Sequence, residues 1–249
     1  MVSKRKKKRA LTDYKSNDNE YIKKLAFLAY KSDTYQVRMY GAFLFGYLSE
    51  QDDILAFMRD EVSKDDNWRV QEVLAKAFDE FCKKKGYEKA LPIIDEWLRN
   101  NNANTRRAVT EGLRIWTSRA YFKDNPNEAI RRIASLKEDT SDYVRKSVGN
   151  ALRDISKKFP ELPELIEAEL NNWNLESKGI NQVYKLASKF IRARSGSKFK
   201  WQRFFNAYCP ACFCTSACCR FYSTNKNSKT ILRAYSRASP FRIGMYCVY

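Results

Sequence analysis

The chain has 249 residues and a formal net charge of +18, with seven cysteines and no histidine. It contains no run of about 18 apolar residues, so a membrane-spanning helix is not expected. No apolar segment follows the basic N-terminus, so a secretory signal is not expected. The lack of histidine excludes a histidine base and metal sites that use imidazole ligands.

The positive charge is concentrated at the two ends of the chain. Residues 4–9, KRKKKR, are all basic, and residues 196–249 contain nine lysines and arginines but no acidic residue. Residues 10–195 are nearly balanced, with 32 basic and 29 acidic side chains. We expect residues 1–17 to form a disordered basic arm that adds non-specific DNA affinity, although the run also resembles a nuclear-import cluster.

Residues 18–194 predict one helix after another. Apolar residues recur at helical spacing in segments such as YIKKLAFLAY, NWRVQEVLAKAFDEF, NTRRAVTEGLRIW and YVRKSVGNALRDISKKF. Polar breaks such as Asp65-Asp66-Asn67 separate these segments and supply helix-capping residues. Because no useful alternation of apolar and polar residues is present, the fold class is all-α.

An internal repeat runs through this helical region. Val70, Val109 and Val148 are spaced 39 residues apart, and Val183 follows 35 residues later. A period near 40 with two helices per unit is typical of HEAT-like helical-repeat solenoids, which are α-α superhelices. An irregular helical bundle is the alternative.

The second helix of each repeat is expected to line a concave basic face. On the segment NWRVQEVLAKAFDEF, Trp68 and Glu72 fall opposite the apolar stripe, one turn apart. Basic side chains at the corresponding positions of later helices suit the backbone of duplex DNA. The residues predicted to contact DNA are Arg69, Arg106, Arg107, Arg114, Arg145, Lys146, Asn150, Arg153 and Lys157.

Each of these residues also has a plain structural interpretation. Trp68 could be packed between neighbouring helices, as tryptophans near helix starts commonly are. Glu72 could belong to a surface ion pair with Arg69 or Lys76 on the same helix. Arg106 and Arg107 could form part of a solvated surface. Their shared face favours the functional interpretation.

Three segments resemble a known family. NWRVQEVLAKAFDEF, NTRRAVTEGLR and especially SDYVRKSVGNALRDISKKFPE resemble the HEAT-like-repeat DNA alkylation repair proteins, the AlkD/AlkC-type alkylpurine DNA glycosylases, over about residues 20–193. The resemblance implies a cytoplasmic, monomeric DNA repair enzyme that needs no cofactor and no metal. Its implied activity is hydrolysis of the N-glycosidic bond of cationic N3- or N7-alkylated purines in duplex DNA.

The resemblance also implies roles for individual residues. Trp68 matches the family's aromatic residue against the modified nucleotide, and Glu72 matches its catalytic carboxylate, which is often aspartate. Arg107 matches an arginine of the next repeat, for which a phosphate contact is expected. Asn150 stands where one branch of the family has a second tryptophan, a departure that suggests the AlkC-like side of the family.

Two other classes of function fit the same residues. A non-catalytic DNA-binding paralogue would use the same face without breaking a bond. A protein–protein scaffold would follow the usual role of HEAT arrays.

Residues 195–249 differ from the rest of the chain. Six cysteines crowd this segment in CPAC, CFC, CC and at Cys247, and helical periodicity is absent. A thiolate metal site is one interpretation, but the cysteines do not form two separated pairs. We expect a disordered thiol-rich tail or an aberrant translated extension.

Overall fold

The computed structural model describes residues 2–159 and 162–191, all of which fall within one compact unit. Every regular element in these ranges is helical, which confirms the all-α prediction. The side chains of Val2 and Pro163 are not described. The predicted tail at 195–249, including its cysteine cluster, lies outside the described residues.

Twelve α-helices and two short 3-10 turns occupy the described ranges. The helices are α1 (Val2–Ser16), α2 (Asn19–Tyr30), α3 (Tyr35–Leu48), α4 (Asp52–Asp60), α5 (Trp68–Lys85), α6 (Leu91–Leu98), α7 (Ala103–Gly112), α8 (Ala120–Asp124), α9 (Pro126–Ala134), α10 (Asp142–Lys158), α11 (Pro163–Leu170) and α12 (Lys178–Ala187).

The helices form two layers, as a HEAT-like array requires. Helices α3, α5, α7, α10 and α12 pack side by side in this order. Each is preceded in the chain by a helix of the other layer, namely α2, α4, α6, α9 and α11. We call the exposed side of the first set, which carries Trp68 and Glu72, the second-helix face.

Local sequence explains where the central helices begin. The Asn67 side chain accepts a hydrogen bond from the backbone N–H of Arg69 at 3.0 Å, which caps α5. Asn102 caps α7 in the same way, accepting from the N–H of Asn104 at 2.9 Å. The predicted apolar stripe of α5 is buried in the core along its whole length. These starts fix the rotation of the helices and therefore the residues of the second-helix face.

The fourth residue of each second helix anchors the loop before it. The Arg106 guanidinium donates from Nη1 to the carbonyl oxygens of Asn100 and Asn101, at 2.7 and 2.9 Å. Arg145 donates from Nη1 to the carbonyls at positions 139 and 140, at 2.6 and 3.1 Å. The loop-anchoring residues of the five second helices are Arg38, Gln71, Arg106, Arg145 and Asn181.

Arg106 and Arg145, two of the residues predicted to contact DNA, are bound by other parts of the protein in this arrangement. Arg106 also donates from Nη2 to Asp139 Oδ1 at 2.7 Å, and the Asp139 side chain is buried. Arg145 donates from Nε to Gln182 Oε1 of the next repeat at 3.2 Å. Both guanidinium groups are therefore committed to the loops and to the repeat that follows.

The N-terminal prediction is wrong for the described residues, because positions 2–16 form helix α1 rather than a disordered arm. Ala10 is fully buried against the solenoid, and Tyr14 stacks on Tyr47 of α3 with ring centroids 5.3 Å apart. Tyr40 of α3 donates its hydroxyl hydrogen to Asp13 at 2.6 Å. These contacts on one side of α1 outweigh the repulsion among its basic residues.

No helix in the part of the chain that the structure describes is both long enough and apolar enough to cross a membrane.

Candidate functional site

The centre of the second-helix face is an ion pair between neighbouring repeats. Arg107 of α7 donates from Nη2 to Oε1 of Glu72 on α5 at 2.6 Å. The Glu72 side chain is 35% exposed, whereas that of Arg107 is 7% exposed. The Glu72 carboxylate therefore remains accessible to solvent, while the cation that binds it is nearly buried.

Arg107 is held from several sides. Its guanidinium carbon lies 4.0 Å from the ring centroid of Tyr143 on α10, and its Nη2 lies 3.8 Å from Glu111 Oε1. Its Nε is buried and has no hydrogen-bond partner among the described residues. In this arrangement Arg107 positions Glu72, and it does not project outward as expected for a phosphate contact.

Trp68 lies one turn before Glu72 on α5 and is 56% exposed. This exposure excludes the interpretation that Trp68 is packed between neighbouring helices. The Arg69 guanidinium lies 4.4 Å from the centroid of the Trp68 ring and 5.4 Å from that of Tyr35. In the free protein, the exposed indole of Trp68 is therefore in contact with the Arg69 guanidinium.

Tyr143 also lies at this candidate site, although the sequence pattern did not indicate it. It lies in the first turn of α10, is 42% exposed, and has its ring against Arg107. Partial burial raises the pKa of its phenol, and Glu72 acts in the same direction, although Arg107 opposes them. The hydroxyl therefore stays neutral at pH 7. Its place in SDYVRKS, directly after a polar break, was the available signal.

A second polar group, also missed, lies behind the ion pair. Ser147 of α10 donates from Oγ to Glu111 Oε1 at 2.9 Å, and its Oγ lies 2.7 Å from Thr110 Oγ1. The Glu111 side chain is largely buried. Glu111 thus links α7 to α10 and supports Arg107 from the inner side.

Most of the other basic side chains predicted to contact DNA are paired with nearby carboxylates, which neutralise their charge. Arg114 donates from Nε to Asp154 Oδ2 at 2.8 Å, and Arg153 bonds the same carboxylate at 2.8 Å. Arg153 also donates to the Asn150 side-chain oxygen at 2.7 Å. The face expected to be basic is therefore of mixed charge around Glu72.

The two predicted lysines of α10 lie at opposite ends of the helix. Lys146 pairs with Asp142 at 2.6 Å, and this hydrogen bond lowers the pKa of Asp142. Lys157 is exposed, with its Nζ 5.7 Å from the ring centroid of Phe190. The structure thus brings Trp68, Glu72 and Arg107 together, and it places the cations of α10 further along the face.

The described residues give no sign of a metal centre. Across the ranges 2–159 and 162–191, no group of three or more cysteine, aspartate or glutamate side chains is arranged to hold a metal ion. Two shallow depressions lie in the other helix layer, one around Lys23 and Phe27 and one around Ile130 and Leu165. Neither includes Glu72, which lies on an open surface.

Comparison with known proteins identifies one matching family model and similar solved structures. A family model described as "DNA alkylation repair enzyme" matches residues 2–165. The crystal structure of AlkD2 from Streptococcus mutans is 79% identical to this chain, with a TM-score of 0.73, and covers 75% of this chain and 89% of that one. A second crystal structure, of smu.31 from Streptococcus mutans UA159, is also 79% identical, with a TM-score of 0.73.

A more distant solved structure supports the fold, and one curated protein matches part of the chain. The alkylpurine DNA glycosylase AlkC of Pseudomonas fluorescens, solved bound to DNA containing an abasic site analog, is 23% identical with a TM-score of 0.53, covering 70% of this chain and 47% of that one. The uncharacterized protein YhaZ of Bacillus subtilis is 38% identical over 79 residues, or 30% of this chain. The match spans about a fifth of YhaZ, 22% of its length.

Proposed function

We propose, from the premise that the chain belongs to the DNA alkylation repair enzyme family, that it binds duplex DNA on the second-helix face and hydrolyses the N-glycosidic bond of cationic N3- or N7-alkylated purines. One observation carries the proposal. Glu72 is a partly exposed carboxylate that Arg107 holds in place, with the exposed Trp68 one turn before it on α5 and the exposed Tyr143 against Arg107.

The proposed reaction needs little catalysis of leaving-group departure by the protein. An alkylated purine with a positive charge is already a good leaving group, so the C1′–N bond breaks with little acid catalysis. The transition state places positive charge on the deoxyribose, as in glycoside hydrolysis. A fixed carboxylate such as Glu72 can stabilise that charge and orient the attacking water. The water adds to C1′, the base leaves with the bonding electrons, and the water's proton passes to Glu72 or solvent.

The aromatic residues complete a site for a cation. The exposed indole of Trp68 can bind a cationic base or sugar through its ring face, an interaction of about 0.5–2 kcal/mol. Arg69 lies against that ring in the free protein, at 4.4 Å. A cationic nucleotide would replace Arg69 there, leaving the guanidinium free to contact a neighbouring phosphate.

Arg107 acts in this proposal as a positioning residue. Its bond occupies Oε1 of Glu72, which leaves Oε2 as the oxygen that faces a ligand. Since Arg107 is buried between Glu72, Glu111 and Tyr143, phosphate contacts are assigned to the exposed side chains around the site.

The test is release of methylated bases from duplex DNA. Wild-type protein should liberate 3-methyladenine or 7-methylguanine, detected by mass spectrometry, and Glu72→Gln should largely abolish release. Glu61→Gln is the matched control, because it removes an exposed carboxylate that pairs with Lys64 at 2.9 Å. Release that does not depend on Glu72 would overturn the site assignment.

A second candidate function is DNA binding without excision. It is favoured by the Arg107 charge, which lies 2.6 Å from the Glu72 carboxylate and cancels part of its field. A carboxylate compensated in this way stabilises a developing sugar cation less. Salt-sensitive binding to duplex without base release would select this function. Absence of duplex binding would instead favour a protein–protein scaffold.

A further inference from the structure

We infer that α1 carries the main phosphate-binding surface of the protein, formed by Lys4, Arg5 and Lys8. This inference rests on the proposed function for its partner, duplex DNA, and it adds the element that holds the backbone. We call these three residues the α1 basic patch.

The α1 basic patch has cations that are free of carboxylates. All three side chains are exposed, and the described residues place no carboxylate within ion-pair distance of them. At 100° per residue, the three lie within an arc of about 100° on the side of α1 opposite the buried Ala10. On the second-helix face, by contrast, Arg114 and Arg153 are both paired with Asp154.

The packing of α1 places the patch beside the candidate site. Lys76 of α5 donates from Nζ to Ser3 Oγ at 3.2 Å, and Lys76 lies one turn after Glu72. At the other end of α1, Lys84 of α5 donates to the Tyr14 hydroxyl at 3.3 Å. Helix α1 itself packs mainly on α3, and these two lysine contacts show that its basic first turns are the end nearest Lys76 and Glu72.

The local energetics of α1 also point to an anionic ligand. Basic residues in the first turns oppose the helix dipole, and α1 has no acidic residue in its first turn. Like charges four residues apart, such as Lys4 and Lys8, repel each other. A bound polyanion would reverse both effects. Duplex DNA offers one charge per about 1.7 Å of its axis, dense enough to meet all three cations at once.

The anchored helix distinguishes this surface from a flexible basic tail. Asp13 accepts hydrogen bonds from Tyr40 of α3 and from Arg9, and Ala10 is fully buried. The cations of the patch are therefore held at fixed positions relative to Glu72. A duplex bound there is aligned as well as attracted, because less freedom is lost on binding.

The experiment measures the salt dependence of binding to an unmodified duplex by fluorescence anisotropy. The variant K4Q/R5Q/K8Q removes the patch and leaves Ala10, Asp13 and Tyr14 in place. The matched control K24Q/K31Q/K123Q removes three exposed lysines that lie outside the second helices, one in α2, one at its C-terminal end and one in α8. Circular dichroism verifies that both variants are folded.

We expect the patch variant to lower the slope of log K against log salt by about 2–3 and to weaken binding roughly tenfold or more at moderate salt. The control should change the slope by less than about 1. The charge-retaining variant K4R/R5K/K8R should bind as the wild type does. Equal slopes for the patch and control variants would overturn the inference, whether or not bases are released.

The remaining outcomes separate this inference from the proposed function. If the wild type binds duplex and the patch variant keeps the full salt slope, only the inference fails. If the wild type does not bind duplex at all, the proposed function fails and the inference fails with it. Binding of wild type to phosphatidylserine vesicles, without duplex binding, would assign the patch to an anionic membrane and overturn both.

Discussion

Arg107 holds Glu72 through a 2.6 Å hydrogen bond that joins two neighbouring repeats. The two residues come from α7 and α5, so the position of the carboxylate depends on how these helices stack. Because Arg107 is nearly buried and Glu72 is partly exposed, the pair fixes an outward-facing oxygen from within the protein.

Replacing Arg107 should destabilise the protein. Arg107→Gln is expected to lower the free energy of unfolding by about 1–3 kcal/mol, because a nearly buried guanidinium loses its 2.6 Å hydrogen bond to Glu72 and its contact with the Tyr143 ring. Arg114→Gln is the control, since Arg114 is 43% exposed and its pairs with Asp154 and Glu111 should together contribute less than about 1 kcal/mol. Urea denaturation measures both. Equal losses would contradict the structural role of Arg107.

Arg106 should matter for stability and little for DNA binding. Arg106→Ala removes one partner of the buried Asp139 carboxylate, which is expected to reduce stability by about 3–5 kcal/mol. Arg131→Ala, on the exposed side of α9, should change stability by less than about 1 kcal/mol. At temperatures where Arg106→Ala is folded, its salt slope for duplex binding should equal that of the wild type. A reduced slope would restore Arg106 as a DNA contact.

Gly112 should not tolerate a side chain. A Cβ at this position would lie 2.3 Å from the backbone oxygen of Ala75, so α7 would have to move away from α5. Gly112→Ala is expected to reduce stability by about 1–3 kcal/mol or more. Gly179→Ala is the control, because its Cβ would meet only the Arg145 side chain, at 3.4 Å. Thermal unfolding of the two variants should differ clearly, and similar melting temperatures would show that the α5–α7 contact is loose.

Trp68 should affect ligand binding more than folding. Because the side chain is 56% exposed, Trp68→Ala is expected to change stability by less than about 1 kcal/mol. Trp97→Ala provides the contrast, since Trp97 is buried in the core and its removal should cost about 3–5 kcal/mol. Base release, or affinity for methylated duplex, should fall for Trp68→Ala. An unchanged affinity would remove Trp68 from the site.

The sequence was sufficient to predict the helical array. However, the predicted spacing aligned α5 with α7 one helical turn away from the alignment seen in the structure. Val70 and Val109 are 39 residues apart, yet the loop-anchoring residues Gln71 and Arg106, which occupy the same place in their helices, are 35 apart. An apolar stripe repeats with each turn, so steps of 35 and 39 fit it almost equally well. The polar contacts of the loops decide between the two steps, and these contacts are visible only in the structure.

The direction of a side chain around its helix could be predicted, but its partners could not. Trp68 and Glu72 share an exposed face, as the periodicity indicated. The adjacent residues Arg106 and Arg107 both looked available for DNA. One of them binds loop carbonyls and the other binds Glu72, because those acceptors come from other segments of the chain. In α1, the six consecutive basic residues obscured the packing signal of Ala10 and Tyr14.

The loop-anchoring residues also separate the tolerance of the two layers to insertion and deletion. Each of them fixes the point where a second helix begins, because its side chain forms hydrogen bonds with the loop just before that helix. Arg106, for example, donates to the carbonyl oxygens of Asn100 and Asn101. The helices of the other layer already differ in length, from eight residues in α6 and α11 to twelve in α2. An insertion or deletion upstream of such an anchored loop should therefore leave the start of the next second helix unchanged. The other layer can therefore diverge in length while Glu72 and Arg107 keep the same separation.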